Sequence, residues 1–328
     1  MSRELEVMLL LRDCPGVCQL HEYFYLHSEA DASMRLVFVL DRYTSNLREH
    51  ICATHGLVSR LRLCQRVGLQ LANALSCVHA LGVIHRDLKP DNILVRAERR
   101  PLDAPCAVLA DFGSAKRLIA DERHRGHTPR VYAPYYRAPE LHFGTRSYTT
   151  APDVWALACC LSEVLLGGAP LFAPEMECDD EAIDRLAEEA ADDERYDDPP
   201  PPPPMRPIEL GLSPTQLALL TLFDTMGSPS WGDIVAMNPA LEADDARRRR
   251  WMAEPPRAPT RDWRARILDR VVGDHLGPRR KALEPDSAAE CAQDAISMFE
   301  CVFRWDPRQR IATAADLASV RFLANAER

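Results

Sequence analysis

The sequence predicts an α+β fold in which a small region containing strands precedes a larger, mainly helical region. Residues 2–13 have the apolar spacing of an amphipathic helix, and residues 18–26 and 35–40 are predicted strands, the second rich in β-branched and aromatic residues. After a polar break, apolar residues recur at helical spacings in several long segments, at 61–81, 152–166, 216–226 and 288–303. We therefore place a small β-rich part at residues 1–43 and a helical part at residues 44–328.

Composition narrows the class of protein. A chain of 328 residues with 46% apolar and 27% charged residues can bury a full core, as soluble globular proteins do. Its net charge of -9 disfavours a general nucleic-acid binder, which needs a basic face. We expect no signal peptide, and no segment of the sequence approaches the roughly 20 apolar residues that a membrane span needs. We therefore expect no nucleic-acid partner, no membrane span, and a location in the cytosol or the nucleus.

The eleven cysteines follow no repeating spacing. Cys14 and Cys18 are close together, but no second pair completes the spacing of a zinc site. Cys159 and Cys160 lie in an apolar segment, as core thiols do. We interpret the cysteines as reduced thiols of an intracellular protein, a class in which disulfides are rare.

Residues 176–212 differ in composition from the rest of the chain. They contain clusters of acidic residues and an unbroken run of prolines at 199–204. This composition predicts an insertion in the helical region, with the prolines in the extended polyproline conformation. Two interpretations remain open: a solvated spacer, which we favour, and a ligand for SH3 or WW domains.

Three short motifs stand in a characteristic order with loop-sized gaps. Residues 85–92 read His-Arg-Asp-Leu-Lys-Pro-Asp-Asn, residues 111–113 read Asp-Phe-Gly, and residues 138–140 read Ala-Pro-Glu. Together they resemble the catalytic loop, the metal-binding loop and the end of the activation segment of a eukaryotic protein kinase. The resemblance implies a protein-kinase fold with a mainly helical large lobe and a partial β-rich small lobe.

The same resemblance implies phosphoryl transfer from ATP to a protein substrate. Asp87 matches the catalytic base, and Lys89 matches the lysine that reaches the γ-phosphate of ATP in serine/threonine kinases. Asn92 and Asp111 match the oxygen ligands of Mg²⁺, a hard ion that prefers such ligands. ATP and Mg²⁺ are therefore the expected cofactors, whereas His85 is expected to pack against the metal-binding loop.

The region before residue 44 would supply the remainder of the ATP site. Leu40 lies where the gatekeeper would be, and Asp41 to Tyr43 would form the hinge whose backbone binds adenine. Glu4 matches the helix glutamate that pairs with the ATP-binding lysine, yet no lysine precedes Lys89 and the chain contains no Gly-x-Gly. We expect the lack of that lysine and of a Gly-rich loop to impair ATP affinity and turnover of the chain as written.

Three further matches concern stability rather than chemistry. Glu140 and Arg310 correspond to the buried ion pair of the large lobe, and loss of one partner of such a pair is costly. Asp153 corresponds to the helix residue that braces the catalytic loop through backbone hydrogen bonds.

Among protein kinases, the chain is most similar to the CMGC group and to glycogen synthase kinase 3. The similarity lies in the segments at 111–116, 135–141 and 226–231. The family has an arginine where this chain has Pro134. Tyr132 is the nearest candidate for the activating tyrosine, but Arg130 or Thr128 can be aligned there instead, so tyrosine autophosphorylation is not assumed.

Two functions remain open. One is a serine/threonine kinase that is completed by residues not shown, which the set of catalytic-loop residues favours. The other is a pseudokinase-like binding module, which the partial small lobe and the acidic, proline-rich insertion favour. In both cases we expect residues 36–40 and the surroundings of Leu20 to expose apolar surface, with a risk of aggregation.

Overall fold

The computed structural model describes residues 2–27, 34–54, 57–96, 106–118, 131–147, 149–174, 213–254, 256–273 and 285–327. The acidic and proline-rich segment 176–212 lies outside the described residues, as do Thr128 and Arg130. The described elements are helices and small antiparallel sheets, and the predicted α+β class is confirmed.

The first elements are helix α1 (Arg3–Leu10) and an antiparallel pair of strands, β1 (Leu20–His27) and β2 (Met34–Leu40). Helix α1 begins after Ser2, whose side chain accepts a hydrogen bond from the backbone N of Leu5. This contact satisfies one of the amides that have no partner within the first turn of a helix. The predicted helix and both predicted strands are confirmed, with small shifts of their ends.

Strands β1 and β2 expose much apolar surface. Leu20, at the start of β1, is only 2% exposed because its side chain joins the main core. Beyond it the exposed large side chains are Tyr23, Phe24, Tyr25, Leu26, Met34, Val39 and Leu40. The predicted open surface is therefore confirmed at Val39 and Leu40 of β2 and at Tyr23 to Leu26 of β1, whereas Leu20 itself is buried.

The chain continues through β3 (Ser45–Asn46), α2 (Leu47–Ala53), α3 (Leu57–Ala80), β4 (Val83–Ile84), β5 (Ile93–Arg96), β6 (Cys106–Leu109) and β7 (Lys116–Arg117). Strand β5 lies between β3 and β6 in an antiparallel sheet, and β4 pairs with β7. The β5–β6 register pairs Ile93 with Leu109. This pairing brings Asn92, which precedes β5, next to Ala110, which follows β6.

The remaining described helices are α4 (Pro139–His142), α5 (Ala151–Leu165), α6 (Pro214–Met226), α7 (Trp231–Met237), α8 (Asp245–Ala253), α9 (Trp263–Gly273), α10 (Pro285–Val302), α11 (Ala314–Ala318) and α12 (Arg321–Ala324). Short 3-10 turns lie at Pro90–Asn92, Pro134–Tyr136, Pro239–Leu241, Pro307–Gln309 and Asn325–Glu327. Of the helices in the described ranges, none combines the length and the apolar content that crossing a membrane requires.

Helix α5 forms the centre of the main core. Every residue from Ala151 to Leu165 is buried. Trp155 stacks on Phe172 at 5.4 Å between ring centroids and meets Phe303 edge-on at 5.1 Å. The charged side chains of α5, Asp153 and Glu163, are buried with the apolar ones and need hydrogen-bond partners, which lie on other elements. This requirement places Asp153 and Glu163 in the networks described below.

Cys14, which follows α1, and Cys77 of α3 form a disulfide with their Cα atoms 6.1 Å apart. The prediction of reduced thiols is therefore wrong for this pair. Residues 14–17 lie very close to α3, since a Cβ added at Gly16 would meet Ala74 Cβ at 2.6 Å. The two cysteines are 63 residues apart in sequence, and only tertiary packing brings them together.

His142, at the end of α4, should make stability depend on pH. Burial, with a smaller effect of the Arg137 charge, lowers the pKa of His142 from 6.5 to about 4. The unfolded chain therefore binds a proton more readily between these pH values, and acidification should favour unfolding. We expect the free energy of unfolding to fall by about 2 kcal/mol from pH 7 to pH 5 through this residue. Urea denaturation of the wild type and of His142→Gln would measure this, and equal pH slopes would contradict it.

Candidate active site

The catalytic loop, residues 85–92, follows β4, and Asp153 of α5 hydrogen-bonds to its backbone. Asp153 is fully buried, and its carboxylate accepts hydrogen bonds from the backbone N of His85 at 2.9 Å and of Arg86 at 3.0 Å. Burial works against ionisation, yet the hydrogen bond and charge of His79, with smaller contributions from His85 and Tyr132, lower the pKa of Asp153. The Asp153 side chain is therefore ionised and holds the catalytic loop through hydrogen bonds. The predicted contacts with the loop backbone are confirmed.

Asp87, Lys89 and Asn92 lie together on the loop. The side-chain nitrogen of Asn92 donates to the carbonyl oxygen of Asp87 at 2.8 Å and to its Oδ2 atom at 3.0 Å. Lys89 Nζ lies 3.2 Å from the same Oδ2 atom. Two donors therefore fix the orientation of the Asp87 carboxylate, whose side chain remains 21% exposed.

The sheet register brings Asp111 to this group. The backbone N of Ala110 donates to the carbonyl of Asn92 at 3.0 Å, so Asp111 directly follows the residue that pairs with Asn92. Asp111 has a left-handed φ of 59°, and its Oδ1 atom accepts the backbone N of Gly113 at 3.2 Å. All four polar residues predicted for the catalytic chemistry thus belong to two adjoining loops.

Phe112 and His85 hold the second of these loops in place. Phe112 is 1% exposed, and its ring centroid lies 4.8 Å from that of His85. His85 Nε2 also contacts the carbonyl oxygen of Ala110 at 2.9 Å. The predicted packing of His85 against this loop is confirmed.

The oxygens of Asn92 and Asp111 fit a magnesium ion better than a transition metal. The part of the chain that the structure describes contains no cluster of three or more His, Cys, Asp or Glu side chains that could hold an ion alone. Mg²⁺ is usually bound through one or two carboxylates together with substrate phosphates and waters. One carboxylate beside one carboxamide is therefore a suitable donor set.

Glu4 of α1 faces the Asp111 loop. A Cβ added at Gly113 would lie 3.8 Å from Glu4 Oε2. Burial raises the pKa of Glu4, and the charge of Asp111 raises it further. A positive group near this carboxylate would lower its pKa and so oppose both effects.

The residues predicted for the hinge lie on the connection from β2 to β3. Leu40 ends β2 and is 41% exposed, and Asp41 Oδ1 lies 2.8 Å from His21 Nε2. Tyr43 is half-buried, with the guanidinium of Arg96 4.8 Å from its ring centroid, and burial raises the pKa of Tyr43 to about 12. Tyr43 packs against a small cluster that includes Ala110, so the connection adjoins the residue before Asp111.

The predicted ion pair between Glu140 of α4 and Arg310 is confirmed. Arg310 Nη1 lies 2.8 Å from Glu140 Oε2, and the two side chains are 1% and 3% exposed. The Arg310 guanidinium also lies 4.8 Å from the ring centroid of Trp155. The pair joins the end of the 138–140 motif to the core of the helical region.

A second polar network was missed by the sequence reasoning. Arg48 of α2 contacts Asp91 Oδ1 at 3.0 Å and Glu163 Oε1 at 2.8 Å, and Tyr136 donates to Glu163 Oε2 at 2.6 Å. Burial raises the pKa of Glu163 to about 7, although Arg48 acts in the opposite direction. The network links α2, the catalytic loop, the Pro134–Tyr136 turn and α5. Its members are scattered in sequence, and no motif identified them together.

Tyr132, the nearest candidate for an activating tyrosine, is only 5% exposed. Its hydroxyl donates to Asp153 Oδ1 at 2.7 Å. The side chain therefore points inward to the brace of the catalytic loop rather than outward to solvent.

Comparison with known proteins agrees with this geometry. The family model described as "Protein kinase domain" matches residues 1–323. The protein named "Protein kinase gsk3" of Schizosaccharomyces pombe is 36% identical over 193 residues, a match that covers 57% of this chain and 45% of that protein. The matched region therefore spans less than half of this relative. The family match covers nearly the whole chain, and the chain accordingly belongs to the protein kinase domain family.

Proposed function

We propose that this protein transfers the γ-phosphate of ATP to a serine or threonine hydroxyl of a protein substrate. The observation that carries the proposal is the oriented carboxylate of Asp87, which Asn92 and Lys89 contact at 3.0 and 3.2 Å beside the Asp111 loop. The similarity to a protein kinase of the glycogen synthase kinase 3 type supports the choice of serine or threonine. We place this activity in the cytosol or the nucleus.

In the proposed reaction, Asp87 orients the substrate hydroxyl and accepts its proton. The hydroxyl oxygen forms a bond to the γ-phosphorus, the bond from that phosphorus to the bridging oxygen breaks, and ADP leaves. Lys89 supplies positive charge beside Asp87, where the negative charge of the transferring phosphoryl group must be balanced.

Asn92 and Asp111 are the residues that we assign to Mg²⁺. When bound, this ion neutralises charge on the phosphates and holds them in line for transfer. The Asn92 side-chain nitrogen is engaged by Asp87, so the amide oxygen is the atom of Asn92 suited to the metal. The left-handed backbone of Asp111 is the kind of local strain that functional sites retain.

For the adenine end of ATP we propose the connection after β2. Leu40 would border the base, and the backbone from Asp41 to Tyr43 would hydrogen-bond it. We also propose that residues 1–43 belong to the small lobe and residues 44–328 to the large lobe. The packing of Tyr43 against the cluster of Cys18, Val108 and Ala110 supports this placement of the nucleotide between the two lobes.

A thermal-shift titration with Mg-ATP tests nucleotide binding. At a ligand concentration 100 times Kd, the free energy of unfolding should rise by about 2.7 kcal/mol, and Asp111→Asn should lose most of this gain. Glu254→Gln, which changes an exposed carboxylate at the end of α8, should behave like the wild type. Absence of any Mg-ATP stabilisation in the wild type would contradict the proposal and favour a binding module.

A further inference from the structure

Two neighbouring residues of the active site have a left-handed backbone. Arg86 has a φ of 68° and Tyr132 a φ of 65°, values that residues with a Cβ rarely adopt. The backbone N of Tyr132 donates to the carbonyl oxygen of Arg86 at 3.0 Å, so the two conformations are directly coupled. Such conformations persist only where their surroundings fix them.

Asp153 supplies the second connection between these residues. Its Oδ1 atom accepts the backbone N of Arg86 at 3.0 Å and the hydroxyl of Tyr132 at 2.7 Å. Its Oδ2 atom accepts the backbone N of His85 at 2.9 Å and contacts His79 Nε2 at 2.9 Å. Tyr132 therefore reaches Arg86 twice, once through its backbone and once through the shared carboxylate.

Arg137 also fixes the backbone at Val131 and Tyr132. Arg137 donates through Nη2 to the carbonyl oxygen of Tyr132 at 2.9 Å and through Nε to that of Val131 at 2.9 Å. Arg137 is 8% exposed and directly precedes the 138–140 motif. Tyr132 is thus tied to the segment before α4 through its backbone carbonyl and to Asp153, which binds the backbone of Arg86, through its hydroxyl.

We propose that Tyr132 is a positioning residue, whose unmodified hydroxyl holds the segment before α4 against the catalytic loop and thereby sets the place of Asp87. This inference rests on the proposed kinase function. Phosphorylation of Tyr132 would place negative charge beside the buried Asp153 carboxylate, which is unfavourable. Its role is therefore the opposite of that of an activating phosphotyrosine.

The test compares Tyr132→Phe with the matched control Tyr135→Phe, in which the same atom is removed three residues away. Amide hydrogen exchange at Arg86 and Tyr132 requires no activity and should be roughly tenfold faster in Tyr132→Phe alone, as expected when a hydrogen bond to a charged group is lost. In assays with saturating peptide and varied ATP, kcat of this variant should also fall roughly tenfold with little change in KM for ATP.

The outcomes separate this inference from the proposed function. If the wild type transfers no phosphate, the proposed function fails, and amide exchange alone then decides whether Tyr132 anchors the loop. If exchange and kcat of Tyr132→Phe match those of Tyr135→Phe, the inference is overturned. Mass spectrometry that finds phosphate on Tyr132 in the active protein would overturn it as well.

Discussion

The Asp87→Asn substitution is expected to lower kcat for phosphoryl transfer by roughly 10²- to 10⁴-fold, the usual contribution of general-base catalysis. Asparagine keeps the shape of the side chain and an oxygen that can accept from Asn92, so the loop should keep its conformation. It cannot take the proton of the attacking hydroxyl. Steady-state kinetics with varied ATP should therefore show a large loss in kcat with little change in KM for ATP.

A matched control is Asp245→Asn on α8, an exposed aspartate remote in sequence from the catalytic loop. It should leave both kinetic parameters unchanged. If Asp87→Asn retained more than a third of the wild-type kcat, the assignment of Asp87 as the base would be wrong.

Breaking the buried ion pair should have the largest effect on stability. Arg310→Met removes the partner of Glu140, whose side chain is 3% exposed, and leaves its charge in the core. It also removes the cation from the face of Trp155. Loss of one partner of a buried pair typically costs about 3–5 kcal/mol, and we expect a loss of that size in urea denaturation.

Two comparisons identify the cause of that loss. Arg308→Met removes a neighbouring arginine whose side chain is 74% exposed and which pairs with Asp306, and it should cost far less. The double variant Arg310→Met/Glu140→Gln should recover part of the stability, since no uncompensated charge remains. A double variant no more stable than Arg310→Met would show that lost packing, rather than the buried charge, causes the effect.

Local sequence was sufficient to predict the elements that carry the chemistry. Residues 85–92 and 111–113 are contiguous motifs, and their placement on adjoining loops follows from one short antiparallel pairing, Ile93 with Leu109. The buried helix α5 was predictable because its apolar residues are nearly continuous. The brace by Asp153 followed from the family resemblance.

Contacts between distant segments were not predictable. Cys14 meets Cys77, and Arg48 meets Glu163, only because helices from different parts of the chain pack together. Tyr132 was the nearest candidate for an activating tyrosine, but sequence position does not show which way a side chain points. Its left-handed backbone turns it toward Asp153, and no local pattern indicates that conformation for a tyrosine.

The most direct test of the central claim is to identify the amino acid that receives the γ-phosphate of radiolabelled ATP. The protein would be incubated with Mg²⁺, ATP and a mixture of serine, threonine and tyrosine peptides, beside Asp87→Asn as the control. The account predicts phosphoserine and phosphothreonine with the wild type and a loss of label with the variant. Transfer only to tyrosine, or label that is independent of Asp87, would contradict it.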